Sequence, residues 1–366
     1  MKKILLLSGA LALLAACSGS PERMQAAGVP QYRVDPGWPR PLPSNWILGQ
    51  VAGIAVDKND NIWIVHRPST LLDDEKGAQA SPPATTCCIA APPVLQFDQA
   101  GNLLRSWGGP GQGYDWFESE HGIFVDNDGN VWVGGNSPKD HHIVKFTADG
   151  KFLQQLGKPG KSEGSNSTTQ LGRPAHMQVD AAANELYVAD GYGNRRIVVF
   201  DATTLAYKRH WGAYGGRPED GKLPAYDPKG PPMRSFNNPV HCVRFSNDGL
   251  VYVCDRGNDR IQVFEKSGKF VKEFLIERET LQNGSVWDLV LSEDKEQKYL
   301  IVANGADSHL LVVDRSTGEV LSTFSRPGRM AGELKWVHNL AIDSKGNLYT
   351  AEVGSGRRAQ KFVRQP

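Results

Sequence analysis

The sequence predicts an all-β chain folded as a six-bladed β-propeller, and three observations predict it. A two-strand motif recurs six times along the 366 residues. Further short, alternating β-type runs follow each copy, so that each repeat has about four strands. The composition, with 39 Gly and 23 Pro, suits many tight turns between short strands better than long helices. Four-stranded units repeated around an axis leave only short, protected sheet edges, which makes a propeller the natural solution for such a repeat.

The first copy is Gly53–Asp57 followed by Asn61–Val65, and the second is Gly122–Asp126 followed by Asn130–Val133. His176–Asp180 with Glu185–Val188 and Cys242–Ser246 with Leu250–Val253 are the third and fourth. Asp288–Ser292 with Lys298–Val302 is a weaker fifth, and Asn339–Asp343 with Asn347–Thr350 is the sixth. The strands alternate β-branched or aromatic residues, and each turn carries Gly, Asn or Asp. Third strands are clearest at Gly193-Asn-Arg-Arg-Ile-Val-Val-Phe200 and Gly257-Asn-Asp-Arg-Ile-Gln-Val-Phe264. Fourth strands end at Trp107-Gly108, Leu156-Gly157 and Trp211-Gly212. Long loops rich in Pro, Gly, Ser and Asp interrupt the pattern at 68–93, 158–170 and 213–236, and loops of that length are usually functional or disordered.

The N-terminus predicts export. Lys2 and Lys3 precede an apolar run from Ile4 to Ala16, which is too short for a spanning helix and reads as a signal peptide. Leu14-Ala15-Ala16-Cys17 resembles a bacterial lipobox, which implies cleavage before Cys17 and lipidation of its thiol. The expected organisation is a signal peptide at 1–16, a lipidated Cys17 and flexible tether at 17–31, and the propeller at 32–366. The expected location is the cell envelope, with Ser18 favouring the outer membrane and the propeller facing the periplasm. The membrane is then a partner through the lipid anchor alone. A formal net charge of +1 gives no electrostatic case for nucleic acid. In an exported chain Cys242 could pair with Cys254 across one turn, and Cys87 with its neighbour Cys88; otherwise these are small buried apolar residues.

Aligning the six copies one residue before the motif places Ala52, His121, Ala175, His241, Trp287 and His338 at equivalent positions. Histidine occupies alternate blades. The first strand of each blade lines the channel, so three imidazoles about 120° apart converge at one level by the radial symmetry of the fold. Three histidines with an open fourth position make a catalytic zinc arrangement, although imidazole also suits Cu, Fe and Ni. His66, His141, His142, His210 and His309 lie outside the register. His176 falls one residue past it, and alternation turns it away from the axis, towards a possible substrate groove. Near the same rim stand Arg67, Tyr192 and Arg256. Arginine clamps carboxylates through its planar fork, and a tyrosine beside a metal can act as a base.

The repeat resembles NHL-repeat propellers. Gln50–Asp57 with Val65-His66-Arg67, Glu120–Ile123, Val188-Ala-Asp-Gly-Tyr192-Gly-Asn-Arg, Val253-Cys-Asp-Arg256-Gly-Asn-Asp-Arg and Val337-His338-Asn339 resemble the blades of peptidyl-α-hydroxyglycine α-amidating lyases over about residues 48–363. The resemblance implies zinc on His121, His241 and His338, Tyr192 as base, and Arg67 and Arg256 as active-site arginines. It also implies a structural calcium held by the residue at 339 and the backbone carbonyls of Ile54 and Ile123. Here Asn339 stands where that family has Asp, offering an oxygen without charge. A family methionine before the third histidine is replaced near Trp336. The family's two disulfides are absent, with Gly193 and Val263 at the half-cystine positions. The implied reaction cleaves a small carbinolamide or a peptidyl-α-hydroxyglycine to an amide and an aldehyde acid. The alternative is a non-catalytic NHL propeller that binds a ligand or protein in the envelope. A calcium-dependent lactonase-like hydrolase would want Glu, Asn and Asp on the axis, where this chain has His, Ala and Trp.

Overall fold

The computed structural model describes residues 28–366; the segments expected as signal peptide, lipidated Cys17 and nearly all of the tether lie outside the described residues. Six four-stranded antiparallel sheets form the blades. The first strands, Gln50–Val56, Glu120–Val125, His176–Asp180, Val240–Phe245, Asp288–Leu291 and Val337–Ile342, pack against one another in a closed ring around the channel. The sixth blade takes its outer strand from the start of the chain. Tyr32–Asp35 pairs antiparallel with Arg358–Arg364, Tyr32 facing Arg364, so the two ends of the propeller close on each other. No helix among the described residues is long and apolar enough to cross a membrane.

The second strands read as continuous apolar runs because both of their faces are covered. Alternation then assigns side chains to neighbouring blades. In Ile62–Arg67, Ile62 and Ile64 join the core shared with blade six, while Trp63 and Val65 join the core shared with blade two. In Leu250–Asp255, Val251 and Val253 pack towards blade three and Tyr252 and Cys254 towards blade five.

The recurring Asp at the end of the first strand has a local cause. Asp57 accepts the backbone N–H of Asn59 and Asn61 and the indole N–H of Trp63 at 2.9 Å. Asp126 does the same for Asp128, Asn130 and Trp132, and Asp343 for Lys345, Asn347 and the Tyr349 hydroxyl. One carboxylate thus closes the turn and anchors the second-strand aromatic.

The Gly-Asn-x-Arg motif has a different task. Arg196 and Asp190 are both fully buried and paired at 2.9 Å, and Asn194 also donates to Asp190. Arg260 and Asp255 repeat this at 2.7 Å, with Asn258 in the role of Asn194. Asp190 further accepts the N–H of Gly172, and Asp255 that of Asn237, so each pair fastens a loop to the segment entering its own blade. Breaking a buried pair by removing one partner typically costs about 3–5 kcal/mol, so these loops are rigid. Tyr192 lies inside the first clamp and Arg256 inside the second.

The four cysteines among the described residues form two bonds, Cys242–Cys254 between paired strands of blade four and Cys87–Cys88 in the 68–93 loop. That loop is not featureless: it carries 3₁₀ turns at Pro68–Thr70 and Asp73–Gln79, and Ile89–Ala90 pairs in parallel with Trp46–Ile47.

A candidate metal centre at the propeller axis

His121, His241 and His338 meet at the axis, with one ligand atom from each lying within 4.8 Å of the others. All three are buried. Each ring is oriented by the next blade. His121 Nδ1 donates to the carbonyl of Ala175 at 2.8 Å, and His338 Nδ1 to that of Ala52 at 2.6 Å. His241 Nδ1 donates to the carbonyl of Trp287. The acceptors are the occupants of the same register position on the three blades that lack histidine. The alternation therefore divides the ring into three ligands and three backbone props.

Those bonds fix the proton on Nδ1 and leave each Nε2 as a bare acceptor. The Tyr192 hydroxyl sits 3.0 Å from Nε2 of both His121 and His241. It has one proton to offer two lone pairs, while His338 contributes a third. Such a cluster has more lone pairs than protons, and a carbonyl on the far nitrogen is how proteins prepare a histidine to ligate a metal. The donor set thus fits a zinc ion with a fourth position open.

Burial pushes all three imidazoles well below the ordinary histidine range. Their mutual proximity adds to this for His121, as do Arg256 and His338 for His241, and Arg67 and Arg256 for His338. Neutral imidazole is the ligating form. The same burial has a consequence for stability. His66 is lowered to about 4, and His142 and His176 are lowered as well. Below about pH 6.5 the unfolded chain takes up protons on these six residues that the folded chain refuses, so folding stability present above that pH is lost as pH falls. Asp259, raised to about 7 by burial, opposes the trend, as do Glu120, Asp255, Asp288, Glu293 and Glu352, which burial also raises. The metal-free chain is expected to lose stability between pH 7 and 5, each fully depressed histidine contributing up to about 1.4 kcal/mol per pH unit against a smaller return from the raised carboxyls. Urea midpoints across that range check this, and a flat profile contradicts it.

Arg256 and Arg67 occupy different places around the centre. Arg256 Nη1 donates to the Tyr192 hydroxyl at 3.3 Å, and its guanidinium lies 4.2 Å from the centroid of the Trp287 ring. Arg256 Nε is buried with no partner. Arg67 braces the mouth instead: Nε donates to the carbonyl of Glu120, next to His121, and its Nη atoms reach Gln50 and Asn136. It makes no hydrogen bond to Tyr192 among the described residues. Sequence reasoning missed Arg173, whose guanidinium lies 5.7 Å from the Tyr192 ring centroid, the same distance as that of Arg256. Trp287, from the aligned register, and Trp336, the replacement noted beside the third histidine, stand together as a wall, with ring centroids 5.4 Å apart and Trp287 5.6 Å from His338. A signal existed: Gln50, Arg173 and Trp336 all stand two residues before the aligned position. Arg173 and Trp336 both adopt φ near +60°, a backbone state that costs about 1–3 kcal/mol for such residues and clusters at functional sites.

His176 is buried against blade four with its Nδ1 unpartnered and does not reach the triad. His66 is satisfied by the N–H of Gly49 and the carbonyl of Pro92. The calcium expectation does not fit the residues present. Asn339 Oδ1 already accepts the N–H of Ile54 at 2.8 Å, and its Nδ2 donates to Asp288. A cavity of about 200 Å³ opens at the opposite end of the channel, lined by Gln178, Arg244, Phe245 and Glu293 among others; it includes none of the triad.

Comparison with known proteins agrees with this architecture. The NHL repeat family model matches residues 236–264. NHL repeat-containing protein 3 of Mus musculus is 29% identical over 357 residues, covering 91% of this chain and 84% of that protein. Peptidyl-alpha-hydroxyglycine alpha-amidating lyase 2 of Drosophila melanogaster is 25% identical over 353 residues, covering 92% and 76%. Among solved structures, a streptogramin B lyase superposes with a TM-score of 0.53 at 11% identity, covering 91% of this chain and 98% of that one, which speaks to the fold alone. The chain is thus a six-bladed β-propeller with an NHL-repeat match at residues 236–264, similar at low identity to amidating lyases and to NHL repeat-containing protein 3.

Proposed function

We propose that this propeller is a zinc-dependent lyase that cleaves the C–N bond of a carbinolamide of the α-hydroxyglycine type, giving an amide and glyoxylate or a similar aldehyde acid. One observation carries the reading. Three bare imidazole nitrogens converge beneath three guanidiniums, Arg67, Arg173 and Arg256, and none of the three is paired with a carboxylate among the described residues. That mouth suits a substrate carrying both a metal-binding oxygen and a carboxylate, as α-hydroxyglycine does. The amidating-lyase relatives support the same choice.

His121, His241 and His338 would hold the zinc, which when bound would supply Lewis acidity towards the substrate hydroxyl oxygen. Tyr192, close to two of the ligand nitrogens, is placed to take the hydroxyl proton, and Arg256 to steady the resulting phenolate. The O–H electron pair becomes the second C=O bond, the C–N bond breaks, and the departing nitrogen gains a proton. The N–H groups that Arg67 and Arg173 do not spend on Glu120, Gln50 and Asn136 are available to the substrate carboxylate. The Trp287–Trp336 wall narrows the access of water on one side.

The proposal extends to the compartment. Lys2, Lys3, the apolar run and Cys17 support a propeller held outside the cytoplasm on a lipid anchor, a compartment in which its two disulfides would persist. The zinc-loaded chain is to be incubated with a peptide ending in α-hydroxyglycine and assayed for glyoxylate. Release by the loaded but not the stripped chain is expected. No release with zinc bound would discard this substrate while leaving the metal centre. A binding propeller is the second reading, favoured by the 29% identity to NHL repeat-containing protein 3, whose name states no activity. A chain that holds no metal at the triad would favour it.

A further inference from the structure

One residue below the triad lies a charge network that the lyase reading does not use. Asp288 follows Trp287, whose carbonyl orients His241; Asn339 follows His338. Asp288 is fully buried. It receives Arg244 through Nη2 at 2.6 Å and Nε at 3.2 Å, and the backbone N–H groups of Leu289 and Leu340 at 2.8 Å each. Asn339 Nδ2 donates to it as well, while Asn339 Oδ1 holds the N–H of Ile54. Arg244 Nη2 also donates to the carbonyl of Leu340 at 2.8 Å. Residues from blades four, five, six and one are thereby joined around the axis. Every oxygen of Asp288 and the amide of Asn339 is committed, and the positive charge at their centre is a guanidinium.

We propose that Arg244 is the resident cation of this layer, a covalently tethered replacement for a divalent ion, and that it acts as a positioning residue for the triad. The carboxylate sits on blade five rather than on blade six, where a neutral Asn339 serves as a two-way connector. An arginine satisfies this arrangement because its planar fork donates along two directions at once, to the carboxylate and to the Leu340 carbonyl. A calcium would need at least six oxygens, and here the amide oxygen points at an N–H and the carboxylate is taken. The inference stands whether or not the chain is a lyase, because its readouts are stability and metal binding.

The thermal midpoint of the full chain is to be measured with excess EGTA and with 5 mM calcium. The same midpoint is expected in both. A shift of several degrees that calcium restores would overturn the proposal. Arg244→Ala leaves Asp288 buried without its cation, so its midpoint is expected to fall and then to rise again with 5 mM calcium. Its zinc affinity is expected to drop roughly 10–100-fold, as for other changes just outside a ligand shell. An Arg244→Ala chain that folds and ignores calcium would overturn the assignment. If that variant does not fold, Arg244→Lys keeps one charge at the site. Its midpoint is expected between wild type and collapse, still without a calcium response, and a calcium response there would equally count against the proposal.

Discussion

Replacing His121, His241 or His338 singly with alanine is expected to reduce bound zinc from about one per chain to less than a tenth, and glyoxylate release by at least ~10³-fold, about 4 kcal/mol of transition-state stabilisation. Two imidazoles with props intact do not make a closed ligand set, and the loss opens an additional coordination position to water. The fold is expected to survive, because the histidines are held only by one backbone carbonyl each and by the Tyr192 hydroxyl, while the blade cores lie to either side. Elemental analysis on gel-filtered protein checks the metal, and circular dichroism checks the fold. His176→Ala is the control. That residue is as buried as the triad and one position from it in the alignment, yet its Nδ1 meets nothing. It should keep its zinc. If His176→Ala loses metal as the triad variants do, general damage to the channel explains the result and the register argument fails. If the triad variants keep zinc, the centre is elsewhere.

How far the centre could be read from sequence depended on periodicity. The blade count followed from the two-strand motif, whose alternating apolar residues recur six times and whose turn is closed by an Asp and a second-strand aromatic in blades one, two and six. The triad followed because a repeat converts sequence register into angular position around an axis. What stayed hidden has no fixed spacing. The closing strand Tyr32–Asp35 pairs with Arg358–Arg364 across more than 300 residues, and four residues of alternating polarity do not announce it. Arg173 lies in a Gly-Arg-Pro segment that reads as a turn, and only its left-handed φ of 62° brings it beside Tyr192. The Arg244–Asp288 pair is invisible because it joins different blades, 44 residues apart, at positions where most copies carry an apolar or small residue. The family resemblance even pointed the other way, since the Asn339 substitution reads as a lost charge rather than a moved one.

Tyr192→Phe is expected to lower kcat by about 10²–10⁴-fold, the usual range for removing a positioned proton acceptor, while zinc content and KM stay within a few-fold of wild type. The separation between kcat and metal content rests on how Tyr192 is held. Its loop is clamped at both ends by Asp190, Asn194 and Arg196, so a phenylalanine ring would occupy the same place between Arg173 and Arg256. The three ligand rings take their orientation from Ala175, Trp287 and Ala52, none of which depends on the hydroxyl. Loss of the hydroxyl therefore removes a group that meets the substrate proton without disturbing what holds the metal. Arg256→Lys should fall between the two, since an ammonium can still approach the Tyr192 oxygen but cannot lie flat over Trp287 as the guanidinium does. Steady-state kinetics beside elemental analysis distinguishes the alternatives. A Tyr192→Phe chain with full zinc and undiminished kcat would strip Tyr192 of the proton-accepting role and leave it as a cap over two of the three ligands.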